Sequence, residues 1–138
     1  MLCSSRRRAT ETATIVARLL GVACTTSPHA ADLTPLPVDW STVPTRYHDS
    51  LRQIPVDEQD LDGVALDTAF AAVGQIGPSD RTTIMVTHNF VIGWFVRAAL
   101  DAPWWRWISL HQHHAAISTI RWEPDAAARL LRFNDGAM

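Results

Sequence analysis

The chain has 138 residues, of which 47% are hydrophobic and 19% charged, and its formal net charge is −2. This length suits a single domain, residues 1–138, that buries a substantial core. The near-neutral charge supplies no overall basic field, so we expect no nucleic-acid partner. The longest apolar run, residues 90–100, contains Gly93 and Arg97 and is too short to cross a bilayer, so we expect no membrane association.

The opening residues, MLCSSRRRAT, have no apolar segment behind the arginines and do not resemble a secretory signal. The two cysteines, Cys3 and Cys24, have neither CxxC nor metal-ligand spacing. We therefore expect a cytoplasmic protein with reduced thiols. A single disulfide between the two cysteines is also compatible with the sequence.

The first predicted elements are a strand ending at Cys3 and a helix that begins after Ser4 and Ser5, either of which is a suitable helix cap. The apolar residues that share one face of this helix are Ala9, Ala13, Val16 and Leu20. Gly21 is a typical residue to end it. Five prolines between residues 24 and 55 predict a long loop, with one short helix near residues 47–53.

The second half alternates between helix and strand signals. Residues 57–73 predict a helix, in which Asp57, Glu58 and Asp60 form a charged first turn. Residues 82–87 (TTIMVT) are typical of a buried parallel strand, and residues 90–100 predict a central buried helix. Residues 115–122 and 129–134 predict a closing hairpin, and we expect the tryptophans of residues 104–107 to pack beneath it.

Two strand-to-helix turns carry the residues most suited to chemistry. His88 follows the strand of residues 82–87, and Arg8 lies in the turn after Cys3. Ligands of open α/β sheets bind at the carboxyl ends of parallel strands, and a helix N-terminus there attracts anions. A histidine and an arginine at two such ends predict one phosphate site. Taken singly, His88 is equally compatible with packing or capping, and Arg6 and Arg7 are expected to face solvent.

These two segments resemble motifs of the histidine phosphatase superfamily, the phosphoglycerate mutase-like proteins. Residues 4–13 (SSRRRATETA) resemble the family segment S-P-L-x-R-A-x-x-T-A, and residues 86–92 (VTHNFVI) resemble the segment around the family's second histidine. The segment that starts at His88 and Asn89 continues with the apolar helix and then with a Pro-Trp region. This order is similar to that of the mitochondrial phosphoglycerate-mutase-like protein phosphatases. The resemblance implies a three-layer α/β/α fold with a mostly parallel sheet.

The resemblance also implies roles for individual residues. Arg8 would clamp phosphate, His88 would be the second active-site histidine, and Asn89 would bind phosphate at the helix start. Asp32 lies where the family has its proton donor, usually a glutamate, although an exposed loop aspartate is an equally good interpretation. The substrate would be a phosphorylated small molecule or phosphoprotein, and no cofactor or metal would be needed.

The chain departs from the family at its front. The family's first strand ends in R-H-G, whose histidine attacks phosphorus, and no R-H-G occurs in residues 1–138. We therefore expect the first strand to be missing, and with it both phosphatase activity and good solubility. His29, His48, His111, His113 and His114 lack the strand-end context of a nucleophile.

Other functions receive less support. The tetrad of residues 111–114 (HQHH) suggests a metal site, but no carboxylate or thiol cluster accompanies it, so we expect none. No G-x-S-x-G segment supports a serine hydrolase. A phosphatase is preferred to a mutase, because nothing marks a site that holds a substrate while it reorients. The alternative is a non-catalytic relative that binds a phosphorylated ligand, or an inactive fragment.

Overall fold

The computed structural model describes residues 1–136 as a mixture of short strands, helices and long connections. The strands and helices are, in chain order, β1 (Leu2–Cys3), α1 (Arg7–Leu20), β2 (Thr25–Thr26), β3 (Thr34–Leu36), α2 (His48–Arg52), β4 (Gln59–Leu61), α3 (Val64–Val73), β5 (Met85–Val86), α4 (Asn89–Ala99), β6 (Ile117–Arg121) and β7 (Arg129–Asp135).

Parallel pairing dominates the sheets. The central sheet has the order β2-β1-β5, in which Leu2 pairs with Thr25 and Met85 on either side. Strands β3 and β4 form a second parallel pair, and β6 and β7 form an antiparallel hairpin. This arrangement confirms the predicted α/β class with a mostly parallel sheet.

Strand β5 lies at an edge of the central sheet as far as residues 1–136 are concerned, and it pairs with β1 alone. The prediction of one buried strand over residues 82–87 is wrong, because only Met85–Val86 is strand and residues 81–84 are exposed. Strand β1 offers β5 two paired residues on one side, and this pairing is too short to keep a longer segment in strand conformation. Strand β1, in contrast, is paired on both sides.

Helix α1 forms where the periodicity predicts it. Ala9 and Ala13 are buried, and Gly21 ends the helix at φ 65°, where its N–H reaches the carbonyls of Ala17 and Arg18. The prediction of a serine cap is wrong. Arg6 occupies the cap position without a capping side chain, and buried Ser4 instead accepts a hydrogen bond from the Arg6 N–H at 3.3 Å.

The prediction of one helix over residues 57–73 is wrong in its first part. Residues 59–61 pair with β3, and α3 begins only at Val64. The Asp60 carboxylate accepts hydrogen bonds from the N–H groups of Ala65 at 3.0 Å and Leu66 at 2.9 Å. Asp60 therefore lies in the preceding strand and not in the first turn of the helix. From there its carboxylate accepts hydrogen bonds from backbone N–H groups that have no partner within the helix.

The core is centred on α4. Val91, Trp94 and Val96 are fully buried there, and the Trp94 indole donates a hydrogen bond to Asp67 on α3 at 2.8 Å. Trp104 packs edge-on against Trp94, and Trp107 packs against Phe90. These tryptophans thus pack on α4, whereas we expected them beneath the hairpin. Among residues 1–136 no helix combines the length and the apolar character needed to span a bilayer.

Candidate functional site

The candidate site lies where three neighbouring parallel strands end. Strand β1 leads into the start of α1, which carries Arg8, β2 leads towards Asp32, and β5 ends two residues before His88. Because the carboxyl ends of parallel strands meet at one edge of the sheet, the three side chains converge there. The three predicted catalytic residues, which come from separate parts of the sequence, are therefore neighbours in space.

Asp32 connects the other two residues. One carboxylate oxygen, Oδ2, accepts a hydrogen bond from the Arg8 guanidinium, and Oδ1 lies 3.6 Å from Nδ1 of His88. The side chain of Asp32 is 12% exposed and that of His88 is 7% exposed, whereas Arg8 is 67% exposed. The arrangement is thus a partly buried carboxylate and imidazole with a guanidinium at the opening.

A short connection after β2 positions Asp32. Ser27 begins a 3-10 turn at Pro28–Ala30 by accepting a hydrogen bond from the His29 N–H at 3.2 Å. The Thr87 hydroxyl donates a hydrogen bond to the Ala30 carbonyl at 2.9 Å. This bond connects the turn before Asp32 to the residue before His88. It therefore fixes the separation between the two backbone segments that carry Asp32 and His88.

His88 is held mainly in its neutral form. Burial lowers the pKa of His88, Arg8 and Arg6 lower it further, and Asp32 opposes them. The Nε2 atom is buried and has no hydrogen-bond partner within residues 1–136. A neutral imidazole offers one N–H donor and one acceptor nitrogen, so His88 can donate to a phosphate oxygen without carrying charge.

The N-terminus of α4 lies directly after His88. Its first backbone N–H groups have no partner within the helix, and the helix dipole there favours an anion. The Asn89 side-chain oxygen accepts a hydrogen bond from the Gln112 N–H at 2.7 Å. Phosphate binding by Asn89 stays a prediction: the side-chain oxygen holds the loop at Gln112, and the backbone N–H and the side-chain NH2 group are the donors that could reach a phosphate oxygen.

Arg6 is a member of this cluster that sequence reasoning missed. Its guanidinium lies 3.0 Å from Glu58, 3.4 Å from Asp57 and 3.9 Å from Asp32. The sequence predicted that Arg6 and Arg7 both face solvent. Arg7 does so: its side chain is 90% exposed and donates a hydrogen bond to Glu11. No local pattern indicated the role of Arg6, because its hydrogen-bond partners Asp57 and Glu58 lie 51 and 52 residues further along the chain.

The remaining histidines have other surroundings. His48 contacts the Val43 carbonyl at 2.9 Å and packs edge-on against Trp40. The rings of His111 and His113 are 5.7 Å apart, centre to centre. In the part of the chain that the structure describes, no group of three or more His, Cys, Asp or Glu side chains is arranged to hold a metal ion.

Comparison with known proteins assigns the class. Residues 67–136, about half of the chain, match the model of the histidine phosphatase superfamily (branch 1). The chain belongs to this superfamily, whose members are phosphatases and mutases that act on phosphorylated substrates. The matched segment contains His88 and Asn89, whereas Arg8 and Asp32 lie outside it.

A solved structure has the same fold. The product of the open reading frame Rv3214 from Mycobacterium tuberculosis superposes with a TM-score of 0.64 at 16% identity, over 97% of this chain and 70% of that chain. At this identity the likeness establishes the fold alone. No curated protein matches the sequence.

Proposed function

We propose that the protein is a phosphatase that hydrolyses phosphomonoesters through a phosphohistidine intermediate. The observation that carries the proposal is the contact of one carboxylate, that of Asp32, with both Arg8 and His88. A single anionic group can reach the guanidinium and the imidazole together. A phosphate group at the same place would receive charge-assisted hydrogen bonds from both side chains.

Substrate binding would rearrange this contact. The phosphate would take the Arg8 guanidinium from Asp32, and His88 would donate to one of its oxygens. Unpaired N–H groups at the start of α4 would add further donors. Arg6 also lies 3.9 Å from Asp32 and would hold the released side chain close to the reacting group. These donors would stabilise the charge on the equatorial oxygens in the transition state.

The chemistry then follows in two displacements. A neutral histidine attacks phosphorus, the bond to the leaving oxygen breaks, and Asp32 in its acid form protonates that oxygen. In the second displacement Asp32 accepts a proton from water, which attacks the phosphohistidine and releases inorganic phosphate. No metal or organic cofactor takes part in this proposal.

The nucleophile would come from a strand outside residues 1–138, because the sequence contains no R-H-G. One structural feature supports this. The open edge of β5 leads directly to His88, and such an edge has backbone groups ready to pair with another strand. The second candidate function, a non-catalytic module that binds a phosphorylated ligand, uses the same site without the nucleophile.

The substrate would be a phosphorylated small molecule or a phosphoprotein. Hydrolysis is preferred to mutase chemistry, since a mutase must retain and reorient its substrate. The connection between β3 and β4, residues 37–58, would shape this choice. It reaches the site through Asp57 and Glu58, which contact Arg6.

Phosphate binding by residues 1–138 tests the site directly. Isothermal titration with inorganic phosphate should detect binding to the unaltered chain and a loss of about tenfold or more in affinity for Arg8→Ala, as expected for removal of a charged hydrogen bond. Arg7→Ala is the matched control, because Arg7 is the adjacent arginine, its side chain is 90% exposed and it pairs with Glu11 on the same helix. Equal affinities of the two variants would contradict the proposed site.

Turnover tests the source of the nucleophile. Purified residues 1–138 should not hydrolyse p-nitrophenyl phosphate. Activity that disappears in both Arg8→Ala and His88→Ala would show that the chain carries its own nucleophile and would overturn this part of the proposal.

A further inference from the structure

The two cysteines lie on neighbouring strands of the central sheet. Strands β1 and β2 are parallel, and Cys3 pairs with Thr26. Paired residues point to the same face of a sheet, and so do residues two apart along one strand. Cys24 precedes Thr26 by two residues and therefore lies on the same face as Cys3.

The backbone continues this register as far as Cys24. The amino group of Met1 donates a hydrogen bond to the Ala23 carbonyl at 3.1 Å, and the Thr25 N–H donates to the Met1 carbonyl at 3.1 Å. Met1 is thereby held opposite Cys24. Cys3 and Cys24 are diagonal neighbours across two strands that are hydrogen-bonded to one another.

Both thiols are free, and they differ in accessibility. Cys3 is 4% exposed, whereas Cys24 is partly exposed. Burial raises the pKa of Cys3, and the neighbouring Cys24 thiol raises it further. Cys24 is therefore the thiol that a reagent in solution meets first, and Cys3 is a protonated thiol beside it.

We propose that Cys3 and Cys24 form a reversible disulfide that joins β1 to β2. Diagonal neighbours in a sheet are about 7–8 Å apart between Cα atoms, whereas disulfides span up to about 6.8 Å. Closing the bond therefore draws Cys24 towards β1, which requires a shift of the backbone that the Met1 hydrogen bonds hold in register at Cys24. A bond that needs this adjustment is more readily reduced than an unstrained one.

The oxidant is a low-molecular-weight disulfide, for which oxidised glutathione is the probe. The Cys24 thiolate attacks one of its sulfurs, forms a mixed disulfide and releases one glutathione thiolate. Cys3 then loses its proton to solvent and attacks the Cys24 sulfur, which expels the second glutathione. Two protein thiols are oxidised to one disulfide, and one glutathione disulfide is reduced to two thiols.

The bond would affect the candidate site because of where its two strands lead. After Cys3 the chain enters the turn that leads to Arg8 at the start of α1, and after β2 it enters the turn that precedes Asp32. A covalent link between the strands restricts the movement that separates Asp32 from Arg8. We expect oxidation to raise the unfolding temperature and to weaken phosphate binding severalfold. The second effect rests on the proposed function, whereas the disulfide does not.

The test oxidises folded residues 1–138 with glutathione disulfide, blocks remaining thiols and measures the mass and the cross-linked peptides. The expected product has lost two hydrogen atoms, contains a Cys3–Cys24 peptide pair and returns to the starting mass with dithiothreitol. Cys3→Ser and Cys24→Ser are the matched controls, and neither can give this product. The folded chain should form the bond about tenfold or more faster than the chain in urea, because the fold holds the thiols together.

Each outcome decides a separate point. A chain that stops at a mixed glutathione disulfide, forms covalent dimers or reacts no faster than in urea overturns the proposed disulfide. A disulfide that leaves phosphate affinity unchanged overturns its coupling to the site. Absence of phosphate binding by the reduced chain contradicts the proposed function and leaves the disulfide in place.

Discussion

The Asp32 carboxylate lies 3.6 Å from Nδ1 of His88, and its other oxygen accepts a hydrogen bond from Arg8. Burial is the main cause that lowers the pKa of His88, and Arg8 and Arg6 act in the same direction. Asp32 alone opposes them. The protonation of His88 therefore depends on the position of the Asp32 carboxylate. A phosphate that displaced Asp32 would change the charge beside His88 and, with it, the pKa of His88.

Replacing Asp32 by asparagine should lower the pKa of His88 further. The substitution keeps the size of the side chain and removes the only charge that raises this pKa. NMR titration of the imidazole signals measures the pKa of His88. The signal that is missing in His88→Gln identifies the one that belongs to His88. Asp49→Asn is the control, because Asp49 is 95% exposed and pairs with Arg52 on its own helix. A His88 pKa that rises or stays constant in Asp32→Asn would refute the assigned contact.

Stability should fall as the pH is lowered through the titration of His88. The pKa of His88 in the folded chain lies below the unfolded value of about 6.5. Below about pH 6.5 the unfolded chain binds a proton that the folded chain resists, so the free energy of unfolding decreases as the pH falls. This loss continues until the pH drops below the folded pKa.

Urea unfolding at pH 7 and pH 5.5 measures this dependence. His88→Gln removes the titrating group, so its free energy of unfolding should vary less between the two pH values than that of the unaltered chain. The other histidines are present in both proteins and serve as an internal control. Identical pH dependence in the two proteins would mean that His88 is not buried in its neutral form.

Gly63 should be intolerant of any side chain. It adopts φ 70°, and a Cβ atom there would lie 2.3 Å from the Trp94 ring, which is fully buried. We expect Gly63→Ala to destabilise the chain by about 2–4 kcal/mol, through the left-handed backbone and overpacking of the core. Gly21→Ala is a close control, since Gly21 has φ 65° but open space around it.

The comparison separates two physical effects. Gly21→Ala should cost only about 1 kcal/mol, the penalty of the left-handed conformation for an alanine. Denaturant melts of both variants give the difference in the free energy of unfolding. Equal losses for the two substitutions would contradict the close approach of Trp94 to Gly63.

Local patterns predicted much of the site. The periodicity of α1, its end at Gly21, and the position of His88 after a short apolar segment are properties of neighbouring residues in sequence. Because parallel strands bring their ends to one edge, these patterns predicted that Arg8 and His88 converge. The position of Asp32 came from the family resemblance, and the structure brings it into contact with both residues.

What the sequence did not reveal depends on contacts between distant residues. Residues 59–61 form a strand because β3 is available as a partner, although their charges suggested a helix start. Strand propensity depends largely on such partners. The contacts of Arg6 with Asp57 and Glu58 are equally non-local, and no periodicity in sequence signals them.

The open edge of β5 should bind an added strand. The carbonyl of Ile84 accepts a hydrogen bond from Leu2 of β1 and that of Val86 from Ser4 just after β1. The N–H and C=O groups of Met85 between them therefore point away from β1. These groups offer a parallel strand its first backbone hydrogen bonds, and that strand would end beside His88. Hydrogen exchange should find the Met85 amide unprotected in residues 1–138.

A synthetic peptide with an apolar, β-rich run that ends in R-H-G tests the edge and the proposed function separately. We expect it to bind residues 1–138, slow the exchange of the Met85 amide and produce hydrolysis of p-nitrophenyl phosphate. The same peptide ending in R-A-G should protect the amide without turnover, and Arg8→Ala should lose turnover with the original peptide. Protection without turnover by the R-H-G peptide would favour the non-catalytic phosphate-binding function. A peptide that neither binds nor protects Met85 would show that β5 does not accept a strand at this edge.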